Sequence, residues 1–208
     1  MKTIKSLALL LSVAIFPAAN AENSGTYVGF DFTNMVVNFP YSVTTPEWRH
    51  TERMARARIG VILMPDLFPG LALESHLAMG ASGETAPHDS PNAQVGHRDV
   101  DLKLETIMAL YIRGDFYNDH DTSMYGLLGI ASAQTSSRYV TVPGTSDSIR
   151  EPETQSGVSF GLGFTYAYSE KVSFQLEYLS VVRKQSDLGF DVSGASVGFN
   201  FAFDKESR

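Results

Sequence analysis

Apolar residues recur at every second position through most of this chain. Val28, Phe30 and Phe32 alternate with Tyr27, Gly29, Asp31 and Thr33. Ala55, Ala57, Ile59, Val61 and Leu63 alternate with Arg56, Arg58, Gly60 and Ile62. Leu71, Leu73, Ser75, Leu77 and Met79 alternate with Ala72, Glu74, His76, Ala78 and Gly80. The fourth segment sets Val100, Leu102, Leu104, Thr106, Met108, Leu110 and Ile112 against Asp101, Lys103, Glu105, Ile107, Ala109, Tyr111 and Arg113. YGLLGIASA (125–133) is a fifth segment whose faces the pattern leaves open. Val158 to Tyr168, Val172 to Tyr178 and Ala195 to Phe203 complete eight. Period two puts successive side chains on opposite sides of an extended backbone, and no segment sustains a 3.6-residue period. The pattern therefore predicts strands.

The connections are of two kinds. Long polar stretches follow the first, third and fifth segments, at 34–53, 81–98 and 134–155. They hold Pro40, Pro46, Pro87, Pro91, Pro143 and Pro152, which sit badly in a ladder. Short ones follow the second, fourth and sixth, at 65–70, 114–121 and 168–171. The last, around 184–189, is short where the alternation calls for a long one. Long and short connections in turn describe an up-and-down sheet with loops at one end and turns at the other.

Residues 1–21 are set apart. Lys2 and Lys5 precede an apolar run from Leu7 to Phe16, and Ala19-Asn20-Ala21 is a small-residue cleavage site, so this is a signal peptide. Residues 22–208 are then one domain; removing 21 of 208 residues leaves 187, and losing two lysines moves the net charge from −7 to −9. The acidic balance excludes nucleic acid as a partner. With no cysteine, an exported chain must be held by its core or by a closed ladder. No later run is long and apolar enough for a spanning helix, which leaves membrane strands open.

A soluble β-protein also alternates, with its apolar face inward. Two features favour the reverse. The segments reach nine or more residues, the length of tilted membrane strands. The polar face mixes Gly, Ala and Ser with charges of both signs, as a crowded interior requires. The expected fold is all-β, an eight-stranded antiparallel up-and-down transmembrane β-barrel with a filled lumen. Its inward charges are Arg56, Arg58, Lys103, Arg183, Glu74, Asp101, Glu105, Glu177 and Asp191. Buried charges need partners, so Arg56, Arg58, Glu74, Asp101, Lys103, Glu105 and Glu177 are expected to form an interior ion network.

FGLGFTYAYSEKVSFQLEYLSVV (160–182) and ASVGFNFAF (195–203) resemble the last two hairpins of small outer-membrane barrels of OmpA/OmpX type. YGLLGIASA resembles their fifth strand. The resemblance implies a Gram-negative outer membrane, contact with its lipid and lipopolysaccharide, and delivery by the barrel-assembly machinery. Phe199, Phe201 and Phe203 would be the assembly signal, although this chain runs on through Asp204 to Arg208. It further implies a monomer, no cofactor, and a structural or surface role, with a host or cell-surface ligand met through the loops.

Some eight-stranded barrels modify lipid A with a Ser, a His and an acid. Glu74-Ser75-His76 fails that test, since adjacent strand residues point to opposite faces. His88-Asp89-Ser90 sits between prolines, and Asp119-His120-Asp121 reads as a solvated turn. Phe39, Tyr41 and Trp48 fall in the first loop, and Tyr166, Tyr168 and Tyr178 suit an interfacial girdle. The expectation is no enzyme. A lipid A-modifying enzyme and a soluble periplasmic β-barrel binding protein are the alternatives.

Overall fold

The computed structural model describes residues 25–39, 48–63, 70–80, 84–88, 98–119, 121–140, 150–183 and 190–203. Nine strands account for most of them: β1 (Thr26–Phe39), β2 (Trp48–Ile62), β3 (Leu71–Gly80), β4 (Glu84–His88), β5 (Arg98–Asp119), β6 (Thr122–Val140), β7 (Arg150–Ala167), β8 (Val172–Val182) and β9 (Asp191–Phe203). All pairings are antiparallel. The sheet closes on itself: β1 pairs with β9 from Thr26↔Phe203 to Asn38↔Asp191, and β3 pairs with β5 from Leu71↔Gly114 to Met79↔Thr106, which completes the ring. β4 lies along the far end of β5, Glu84 opposite Leu102, and so continues the row of β3. The wall thus has eight staves, one interrupted. Closure leaves no edge in lipid, where each unpaired backbone group would cost several kcal/mol.

The strands are longer than the alternation suggests. The ladder runs through Asn34–Phe39 and Trp48–Arg53, through Gln134–Val140 and Arg150–Gln155, and down to Asp119. Alternation marks only the part of a strand with unlike surroundings on its two faces. Beyond the lipid that contrast changes while the backbone goes on pairing. The hairpin extensions do create free edges, since β7 pairs with β8 only as far as Phe160↔Ser180. Pro152 on that stretch of β7 and Pro87 on β4 each remove a donor, which blunts these edges.

One end of the barrel carries turns. At β7–β8, Tyr168 and Ser169 both donate to the Val172 carbonyl at 3.0 Å, and the Val172 N–H donates to Ser169 Oγ at 3.1 Å. The other end carries the loops. Between the ends, the outer surface is a greasy belt: Phe32 is 77% exposed, Val158 64% and Leu162 63%. Along β7 and into the turn after it the belt runs from Val158 to Tyr168, about 25 Å along the barrel axis once the usual strand tilt is allowed for.

Three bulges interrupt the register, at Leu104/Thr106, Asp115/Tyr117 and Ser180/Val182. The first corrects the expected faces of β5. Thr106 and Ile107 keep the phase of the belt, but the extra residue reverses it above, so that Leu104 turns inward and is 1% exposed. In β6, Tyr125, Leu127, Ala131 and Ala133 point inward, and Leu128 and Ile130 meet the lipid.

Candidate functional site

In the turn half, the lumen is filled by charge. Asp31 on β1 lies beside β2 and bridges two arginines, Arg56 Nε at 3.1 Å and Arg58 Nη2 at 2.9 Å. Glu177 on β8 closes the ring from across the barrel. It takes Arg56 Nη1 at 2.5 Å, Arg58 Nη1 at 3.5 Å, Tyr125 OH at 2.9 Å and Gln175 Nε2 at 2.9 Å. Polar side chains take further donors of both arginines. Arg56 Nη2 donates to Ser196 Oγ at 2.8 Å, and Arg58 Nε to Asn200 Oδ1 at 2.8 Å. Asn200 in turn donates to Gln175 Oε1 at 2.8 Å.

A second group lies nearer the turns. Glu74 on β3 accepts from Tyr27 OH, from His76 Nε2 at 2.6 Å and from Arg113 Nη1 at 3.5 Å. Arg56 Nη1 stands 3.4 Å from His76 Nδ1. An arginine can only donate, so these partners assign the imidazole proton to Nε2. Arg113 on β5 also holds Asp115 at 2.8 Å and lies over the Tyr125 ring, 3.8 Å from its centroid. Glycine makes room for both tyrosines: a Cβ on Gly60 would overlap the Tyr27 ring, and one on Gly163 the Tyr125 ring. Cross-strand aromatic–glycine pairs of this kind seat a bulky ring flat on the barrel wall.

Three arginines (56, 58 and 113) thus face three buried carboxylates (31, 74 and 177), with Asp115 at the rim. Desolvating such charges is costly, and partners at fixed register are what make it tolerable. Below them, at the turn end, is a cavity of about 260 Å³ whose lining includes Tyr27, Arg113, Asp115 and Thr165.

The loop half of the lumen is mainly apolar. Met35, Val37, Met54, Leu104, Val181, Val182, Phe190 and Val192 are buried there as one cluster. His50 and Glu52 form a buried pair at 3.1 Å on the same rising stretch of β2. Gln155 fastens the top. Its amide donates to the Arg183 carbonyl at 2.7 Å and the Phe190 carbonyl at 2.9 Å, and accepts from the Phe190 N–H at 2.8 Å.

Of the seven residues expected to form the interior network, Arg56, Arg58, Glu74 and Glu177 meet in the lumen. Lys103 and Glu105 do not. The bulge at Leu104/Thr106 puts Lys103 on the face opposite inward Leu104 and leaves Glu105 unmatched in the ladder, and both are part-exposed. Asp101 belongs to β5, within a stretch whose side chains are not described. Arg183 is exposed, its guanidinium 5.4 Å from the centre of the Phe160 ring on the outer surface. Asp191 alternates with inward Val192 and so faces out. Asp31, Arg113, Tyr27 and Tyr125 belong to the cluster although sequence reasoning did not count them. Asp31, Tyr27 and Arg113 were visible on the polar faces of their segments; Tyr125 opens the segment whose faces the pattern left open.

Ser75 faces outward while His76 and Glu74 are buried in the lumen, so these three neighbours form no nucleophile–base pair. Phe199, Phe201 and Phe203 are exposed on the outer surface. Tyr41, His120 and residues 204–208 lie outside the described residues, as do the side chains of Phe39, Trp48 and His88.

Residues 6–203 match the family described as outer membrane protein beta-barrel domain. No curated protein sequence matches the chain. Among solved structures, Neisserial surface protein A is 14% identical with a TM-score of 0.54, covering 86% of this chain and 97% of its own. Ail of Yersinia pestis, in complex with the heparin analogue sucrose octasulfate, is 14% identical with a TM-score of 0.51 and the same coverage. The N-terminal β-barrel domain of Pseudomonas aeruginosa OprF is 13% identical with a TM-score of 0.50, covering 85% and 97%. At these identities the structures attest the fold, which is the closed eight-stave wall found here. This chain belongs to the outer-membrane β-barrel family, in its small OmpA/OmpX-like form, and its place is the outer membrane.

Proposed function

We propose that this protein is a monomeric, non-enzymatic surface barrel whose work is done by its loops, in envelope integrity, adhesion or resistance to host factors. The observation that carries this reading is the filled lumen. Ion pairs occupy one half and an apolar cluster the other, so the barrel holds its two ends apart and recognition is left to the loop end. Residues 1–21 act as a cleaved signal peptide, and Phe199, Phe201 and Phe203 as the signal for the assembly machinery. The belt contacts outer-membrane lipid and lipopolysaccharide.

Connections 40–47, 89–97, 141–149 and 184–189 carry Glu47, Asp89, Asp147 and Asp187 against Lys184 and His97, an acidic balance that disfavours a sulfated polyanion of the kind bound in the Ail complex. A neutral or cationic surface is the better match. The test is to shorten 40–47, 89–97 and 141–149 to minimal turns and confirm the heat-dependent gel shift of a folded barrel. Cell adhesion and survival in serum should then fall to the level of a strain lacking the protein. Full activity from the loop-shortened barrel sinks the proposal. So does steady single-channel conductance of the unaltered barrel in a planar bilayer.

A further inference from the structure

We infer that the cavity at the turn end, which faces the periplasm in barrels of this layout, is a binding site for a small zwitterion, an amino acid or short peptide with a free ammonium and a free carboxylate. The cavity is about 260 Å³, and Tyr27 and Arg113 line it. Behind them Glu74, Arg58, Tyr125 and Gln175 are buried and fill the lumen. A ligand entering from the periplasm can go no further, so the cavity holds rather than conducts.

The lining selects the ligand. Arg113 and Asp115 come from β5, and Glu170 and Lys171 from the β7–β8 turn. A site with two cations and two carboxylates disfavours a ligand of one charge sign and matches one bearing both. Spare hydrogen-bonding capacity is present. The contacts of Arg113 with Asp115 and Glu74 engage three of its five N–H donors, leaving two. Thr165 Oγ1 is buried with no partner, an unusual condition for a hydroxyl and one that a ligand carboxylate or carbonyl would relieve. Ile62, Ala72, Val172 and Ala202 add apolar surface for an aliphatic side chain. The volume lies just below the ~300–1,000 Å³ of sites for drug-sized ligands, as suits a compact molecule.

The experiment is a titration of the refolded full chain in detergent with alanyl-alanine, followed by ligand-observed NMR. Saturable binding is expected with a dissociation constant between about 1 μM and 1 mM. Blocking either end, as N-acetyl-alanyl-alanine or as alanyl-alanine amide, should weaken binding at least ~10-fold, since each removes a charge-assisted contact. Thr165→Val and Lys171→Gln should each weaken it by about three- to tenfold with the heat-dependent gel shift retained. Equal binding of the dipeptide and its doubly blocked form overturns the inference, as does a titration that never saturates. An unchanged affinity in both variants would move the ligand elsewhere and overturn it too.

Discussion

The barrel is two tubes joined end to end, with opposite polarity. In the turn half, Val28, Phe30 and Phe32 of β1 meet lipid and Asp31 points in; on β2, Ala55 and Ile59 point out and Arg56 and Arg58 in. A few residues higher the order reverses. Met35 and Val37 point in while Asn34 points out, and Met54 points in while Arg53, Thr51 and Arg49 point out. The first arrangement suits hydrocarbon outside; the second is that of a soluble barrel with water outside. The change of sign therefore marks the level at which the wall leaves the membrane. The lower tube stands on specific partners, because each of its charges is safe only opposite another. The upper one stands on volume, which many residues can supply.

The sharpest way to break this contrast is at the bulge, which carries the reversal on β5. Leu104→Asp puts a carboxylate where the bulge aims a leucine, inside the apolar cluster. Losing a buried leucine and burying an unpaired carboxylate together should cost more than about 5 kcal/mol. We expect the refolding yield in lipid vesicles, read from the heat-dependent gel shift, to collapse. Near-normal yield would mean that the upper tube does not depend on the inward phase of β5.

Two substitutions that preserve shape compare the halves directly. Glu177→Gln keeps the hydrogen-bonding outline but leaves three buried arginines facing two carboxylates, at a cost of about 3–5 kcal/mol. Leu104→Met keeps the volume of a residue equally buried and should cost less than about 1.5 kcal/mol. Urea unfolding from lipid vesicles measures both. Similar losses would erase the distinction between a half held by partners and a half held by volume.

The same reversal explains what could be read from the sequence. The belt was legible because lipid demands apolar residues at alternate positions, and the inward phase of Arg56, Arg58, Glu74 and Glu177 followed from it. The upper tube was also written in the chain, as a slip of phase: Val28, Phe30 and Phe32 are followed by Met35, Val37 and Phe39. Such a slip reads as the end of a strand unless a change of solvent is considered. On β5 no slip exists, because apolar residues stay on even positions through Leu104 and Thr106, and the bulge makes the switch in the backbone. A bulge of that kind has no local sequence mark here, so Lys103 and Glu105 were assigned to the wrong face. The partners of Arg113 were hidden for another reason. Its stacking on Tyr125 is a diagonal contact between paired β5 and β6, and the pattern had left the faces of the β6 segment open.

The smallest expected effect lies where the upper tube is pinned. β8 leaves β7 at Ser180, and above that point Gln155 bridges the gap with three hydrogen bonds to Arg183 and Phe190. Gln155→Ala frees two carbonyls and one N–H, but Gln155 and Arg183 stand near water that can replace part of the loss. The global cost should be about 1 kcal/mol. Its main consequence should be local, because an element held by few contacts can open without the rest. Amide exchange at Phe190 is expected to quicken on the order of tenfold, with little change at Glu177 or Tyr125. If exchange instead quickened equally at all three sites, the pin would be part of the global fold. The two tubes would then unfold as one, whatever their difference in chemistry.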